Sequence, residues 1–187
     1  MKTNGKLIAA DIAECALFVV LMIVSAYVQI PFPLVPLTFQ TVISVLAGLL
    51  LGWKKGIISM SVYCFMGLVG IPVFSAGGGI YYVLKPSFGY ILGFIVSAGV
   101  GGLIANKANL PLWRYIVAAI AAFAADYAVG IPYCMLAAKL LNIENLTKLL
   151  ITGNLVYMPK DLVLSILAAF PAKIVAPIVR RSGNMTV

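Results

Sequence analysis

Long apolar runs, interrupted at short intervals by prolines, glycines and paired cations, predict six membrane-spanning helices. The first runs from about Leu7 to Ile30 and is ended by Pro31, Pro33 and Pro36, which no helix interior accepts. A second runs from about Leu37 to Trp53 and meets Lys54 and Lys55. Gly56 opens a third, which carries on to Gly70 and Pro72, and the short turn makes these two antiparallel neighbours. The fourth covers about Phe88 to Ala105, with Gly89, Gly93, Gly101 and Gly102 giving small-residue faces for close packing. The fifth covers about Trp113 to Leu141. A polar patch from Asn142 to Lys148 and a short apolar helix precede a sixth span from Pro159 to about Val179, in which Pro171 and Pro177 are expected bends. Between spans three and four, Gly70 to Ser87 is the longest irregular stretch. Its three consecutive glycines, two tyrosines and lysine suit a lid or a lining segment.

Composition turns this pattern into a membrane assignment. Of 187 residues 63% are hydrophobic and only 10% charged, too apolar for a soluble domain of this size. Mean hydropathy is +1.11. Alternation of the β-barrel kind does not recur, so the expectation is an all-α integral membrane protein, with residues 1–187 as a single membrane domain in a lipid bilayer. The N-terminal run is too long for a signal-peptide core and reads as a retained span.

The net charge of +8 does not point to nucleic acid, because the basic residues lie singly or in pairs at span ends. Lys2, Lys6, Lys54, Lys55, Lys107, Arg114, Arg180 and Arg181 fall on one side and Lys85, Lys139, Lys148 and Lys160 on the other, eight against four, which places both termini in the cytoplasm. The chain has no histidine, and Cys15, Cys64 and Cys134 lack metal-type or paired spacing; they read as buried spectators. No base is paired with a nucleophile and no phosphate loop is present, so the expectation is a protein that is not an enzyme, with neither metal nor cofactor.

Chemistry concentrates at Tyr157-Met-Pro-Lys-Asp161. Pro159 suits the first turn of a helix, so the segment is expected to gather Lys160, Asp161 and free backbone N–H groups at one point. A charge at bilayer depth costs about 2.5 to 3.5 kcal/mol on insertion scales, so these side chains and Asp126 should face the bundle interior. Asp126 lies thirteen residues beyond Trp113, roughly 20 Å along a helix and past the midplane on the outer side. All three charges would border one outward cavity. Asp161 could accept two N–H groups from a urea- or amide-like ligand, while Lys160, Lys85 and the helix start could hold an anionic end. Tyr81, Tyr82, Tyr90, Tyr127 and Tyr157, with Phe39, Phe74 and Trp53, would supply rigid walls. The competing reading places Lys160 and Asp161 at the membrane interface, the lysine snorkelling and the aspartate facing the helix dipole.

Four stretches in order, Pro36-Leu-Thr-Phe-Gln40, Gly70 to Gly79, Pro86 to Phe94 and Tyr157 to Asp161, resemble the BioY family, the biotin-binding S components of energy-coupling factor (ECF) transporters. The resemblance covers nearly the whole chain. It implies six transmembrane helices, an outward-facing biotin pocket, and as partners a transmembrane coupling subunit and two ABC-type ATPases in the plasma membrane of a prokaryote. It makes Asp161 the first choice for the biotin ureido group, with Lys160 and Lys85 for the carboxylate. Thr38, Gln40, Gly77, Gly78, Gly79, Ser87, Tyr90, Asp126 and Asn154 are further candidates. Ala9 and Ala13 match the small-residue face that S components press against a coupling subunit. The chain departs from the family at Lys85-Pro-Ser-Phe-Gly-Tyr90, usually Gly-Pro-Thr-Gly-Gly-Tyr, and at Leu164, where a lysine is common. Lys160 or Lys85 would then supply that charge. Three other functions stay open: capture of another vitamin, stand-alone proton-coupled transport through Asp126, and a structural membrane protein without a ligand.

Overall fold

A computed structural model describes residues 9–30, 35–107, 109–142 and 146–182, with the side chains of 146–156 and 181–182 outside the description. Its α-helices are α1 (Ala9–Tyr27), α2 (Gln40–Leu51), α3 (Trp53–Leu68), α4 (Phe88–Ile104), α5 (Leu112–Leu140) and α6 (Leu146–Ser182), with a 3₁₀ turn at Ile80–Leu84. Among the described residues, three segments are long and apolar enough to cross a bilayer unaided: Ala9–Tyr27, Leu112–Leu140 and Tyr157–Arg180. The helices α2 and α4 are apolar but shorter.

α4 forms the centre of the bundle, packed on α2, α3 and α5, while α6 closes the far side against α2 and α5. Backbones approach closely there because small residues meet: a Cβ at Gly48 would run into the Ala98 carbonyl. Ala118, Ala119 and Ala122 of α5 are buried in one cluster with Ala169, Ala172 and Ala176 of α6. In lipid, where apolar burial gives helices no net drive to associate, such close contact is what holds them together.

Three expectations about helix ends are corrected. Gly52, at φ 81°, makes the whole turn between α2 and α3, so Lys54 and Lys55 belong to the first turn of α3 rather than to a loop. Only Lys54 stays outside, its Nζ 5.4 Å from the Trp53 ring centre. Lys55 is 3% exposed and forms ion pairs with Asp11 and, at 2.7 Å, with Glu14. A cation read as a topology signal instead ties α1 to α3. Arg180 also turns inward, donating to the carbonyls of Leu50 (3.2 Å), Leu49 (2.6 Å) and Ala105. Those carbonyls belong to the unpaired last turns of α2 and α4, so Arg180 caps both helices. Finally, Pro159 does not start a helix. α6 runs through it, and through Pro171 and Pro177, as one helix of 37 residues.

Candidate substrate-binding site

At the end of the bundle where α1 leads to α2 and α3 leads to α4, a cavity of about 520 Å³ including its open mouth lies between the connectors, α4, α5 and α6. Its polar end is built by neighbouring residues of α6. Lys160 pairs with Asp161 Oδ1 at 2.8 Å and donates to the Thr38 carbonyl. Its Nζ also stands 5.1 Å from the Phe39 ring centre. Tyr127 of α5 donates its hydroxyl to Asp161 Oδ2 at 2.7 Å. The carboxylate is thus held from two sides by two elements. A carboxylate offers about four acceptor positions, so each oxygen keeps one for a further donor.

The walls are aromatic. Tyr90 meets Tyr127 edge-on with ring centres 5.6 Å apart, and Phe123 backs Tyr127 at 4.7 Å. Ile91 and Phe94 continue the α4 wall, and Tyr157 closes the α6 side while bonding to the Val35 carbonyl. Gln40, 5% exposed, donates to the Tyr63 hydroxyl at 2.6 Å, which donates on to the Val73 carbonyl at 3.2 Å. This chain joins the start of α2 to the segment after α3. In that segment Ser75 and Ser87 lie 3.2 and 3.5 Å from the Tyr82 hydroxyl, and all three side chains line the cavity.

Among the residues singled out from sequence, the structure brings Asp161, Lys160, Tyr90, Ser87, Thr38 and Gln40 together on the cavity wall. Others lie elsewhere. Lys85 is exposed, its Nζ 3.2 Å from the Ala76 carbonyl and 4.7 Å from the Tyr82 ring centre, so it fastens the outside of the segment. The three glycines shape that segment without lining the cavity. Gly77 and Gly79 have φ near +104° and +108°, and a Cβ on Gly78 would collide with the Ile71 carbonyl. Asp126 is fully buried beside Thr41, where a Cβ on Gly93 would strike its carboxylate, so it stands behind the wall rather than bordering the cavity. The side chain of Asn154 lies outside the described residues. Because Pro159 is internal to α6, the expected helix start beside Lys160 and Asp161 is not there. Trp53 is at the α2–α3 turn, remote from this site, and Phe74 is core, packed on Tyr63 and Tyr82. Ala9 and Ala13 are exposed on the outer side of α1.

Several lining groups are not singled out by sequence: Val35 and Thr41, and Pro36, Leu37 and Ser75, which enter only as span boundaries or as members of the resembling stretches. An antiparallel bridge between Ile30 and Leu37 holds the connector residues Val35 to Leu37 at the cavity. Tyr127 was visible as a wall but not as the donor to Asp161.

The comparisons with known proteins bear on the family and the fold. The BioY family model matches residues 1–181. The chain is similar to a probable biotin transporter BioY of Lysinibacillus sphaericus, 46% identical over 132 residues, covering 70% of this chain and 67% of that one. It is also similar to the biotin transporter BioY of Thermotoga maritima, 34% identical over 65% of this chain and 72% of the relative. A putative biotin transporter BioYB of Bacillus subtilis is 32% identical over 95% of this chain and 90% of its own length. A crystal structure of the S-component for biotin from an ECF-type ABC transporter matches with a TM-score of 0.67 over 93% of each chain at 24% identity, a likeness of fold. With the family model spanning nearly the full sequence and relatives at this level of identity, the chain belongs to the BioY family.

Proposed function

We propose that this chain is the biotin-capturing S component of an ECF-type transporter, and that Asp161 and Lys160 hold the ligand in the cavity between the connectors. The observation that carries this reading is the Lys160–Asp161–Tyr127 cluster in a chamber that Tyr82, Tyr90, Phe94 and Tyr157 help to wall. Biotin has a ureido ring with two N–H groups, a fused apolar sulfur ring and a flexible chain ending in a carboxylate. The two acceptor positions left on Asp161 suit the ureido N–H pair. Tyr82, Tyr90, Phe94 and Tyr157 suit the ring system, which gains from rigid apolar contact while the hydroxyls supply orientation. Lys160 holds two acceptors already, Asp161 and the Thr38 carbonyl, and keeps a third N–H for the ligand.

The protein performs no covalent chemistry in this account. It spans the plasma membrane of a prokaryote six times with both termini in the cytoplasm, and biotin reaches the cavity from outside. Hydrolysis of ATP by two ABC-type ATPases, relayed by a transmembrane coupling subunit, releases the ligand inside. Ala9 and Ala13, open on α1, are the proposed contact with that subunit. The reading is tested by equilibrium binding of radiolabelled biotin to the purified chain, with a panel of unlabelled vitamins as competitors. Saturable binding displaced only by biotin is expected. Displacement by a different vitamin instead would reassign the substrate, and absence of saturable binding would reject the capture role.

A further inference from the structure

The segment between α3 and α4 has an inward face that is accounted for, with Tyr82 at 3% exposure closing the cavity. Its outward face is not. Ile80, Tyr81 and Leu84 are 63%, 82% and 61% exposed, and they continue the open apolar side of α3, where Phe65 and Val69 are 68% and 65% exposed.

Helix length decides what surrounds that face. α3 has 16 residues and α4 has 17, about 24 and 26 Å at 1.5 Å per residue, against a hydrocarbon core about 30 Å thick. With exposed Lys54 anchoring the first turn of α3 at the opposite interface, the chain leaves α3 while still at or near acyl depth.

Backbone that is not helical survives at that depth only when its polar groups are paired within the protein. Much of this segment is paired in that way. Gly79 N–H donates to the Gly67 carbonyl at 2.7 Å, Phe74 and Gly77 exchange bonds of 3.0 and 3.1 Å, and Tyr82 and Lys85 donate to Gly79 and Tyr82 at 3.0 and 2.9 Å. Tyr133 of α5 adds a 2.6 Å bond to the Val83 carbonyl. Lys85, exposed and with its Nζ above the Tyr82 ring and on the Ala76 carbonyl, satisfies one more carbonyl of the segment.

We infer that Ile80, Tyr81 and Leu84 insert into the border between acyl chains and headgroups of the leaflet on the cavity side, so that the cover of the cavity is held by lipid rather than lying in water. Moving that cover away from the cavity would then depend on the bilayer as well as on the protein. The inference rests on the membrane reading and is independent of the ligand's identity.

The test is a nitroxide label at Tyr81→Cys in the full chain, reconstituted in phosphatidylcholine–phosphatidylglycerol liposomes, with oxygen and a nickel chelate as competing relaxants. The three native cysteines are buried, and their background is measured on the unmodified chain. Oxygen accessibility above nickel accessibility is expected at Tyr81→Cys and at Leu84→Cys, as at the lipid-facing control Phe65→Cys. The reverse order is expected at the exposed control Lys107→Cys. Nickel accessibility exceeding that of oxygen at positions 81 and 84 would overturn the inference. Leu84→Cys keeps the test open should Tyr81→Cys fail to fold.

Discussion

Asp161 is 5% exposed yet carries charge in an apolar bundle, and two side chains from different directions fix where that charge points. Tyr127→Phe deletes one of them without changing shape. Its expected effect is a loss of biotin affinity of about 0.5 to 1.5 kcal/mol, the net contribution of one hydrogen bond, read by binding titration with the unfolding temperature little changed. Lys85→Ala, by contrast, should leave affinity within about twofold in the same titration, because its ammonium contacts the Ala76 carbonyl outside the cavity. The focal pair was legible in the sequence for a simple reason: charges are rare in this chain, and membrane depth makes each one costly. Lys85 and the glycines were legible only as neighbours of the site. Sequence spacing shows that three glycines permit an unusual backbone, but not whether the backbone is bent toward a ligand or around a turn of its own.

At the level of helices, the two devices that sequence reading missed are ion-paired or capping cations. Lys55 and Arg180 occupy span ends, where a snorkelling lysine or arginine is the ordinary expectation, and nothing in their spacing says that each turns inward. Their partners explain the choice: Asp11 and Glu14 on α1 for Lys55, and carbonyls at the ends of α2 and α4 for Arg180. Lys55→Met should destabilise the protein by about 3 to 5 kcal/mol, because buried Asp11 loses its cation. Adding Asp11→Asn and Glu14→Gln should recover much of that loss, and thermal unfolding in detergent measures both. Close helix contact makes a second prediction. Gly48→Ala forces α2 away from the Ala98 carbonyl of α4 and should cost about 1 to 3 kcal/mol, seen as a lower unfolding temperature. Pro159 misled for a different reason. A proline in the first turn of a helix and one inside a helix look alike in sequence, and in a membrane bundle neighbouring groups tolerate the second case.

Across the whole molecule, the helical class and the succession of six helices follow from hydropathy and from proline and glycine breaks, whereas the cavity does not. It exists because the connector at residues 35–38 and the segment at 75–87 meet the first turns of α4 and the interior of α5 and α6, and such long-range closure leaves no periodic trace. On the proposed function, this chain binds biotin and partner subunits supply the energy. Liposomes holding the chain alone should therefore accumulate no biotin against a gradient, with or without a pH difference, while still showing saturable surface binding; uptake driven by protons alone would favour the secondary-transport alternative. The most direct measurement is isothermal titration calorimetry of biotin into the purified wild-type chain and into Asp161→Asn, side by side with their unfolding curves. A saturable one-to-one isotherm for the wild type, weakened by about 1 to 3 kcal/mol in a variant that stays folded, is the predicted result. Equal affinity in the two folded proteins would contradict the placement of biotin against Asp161.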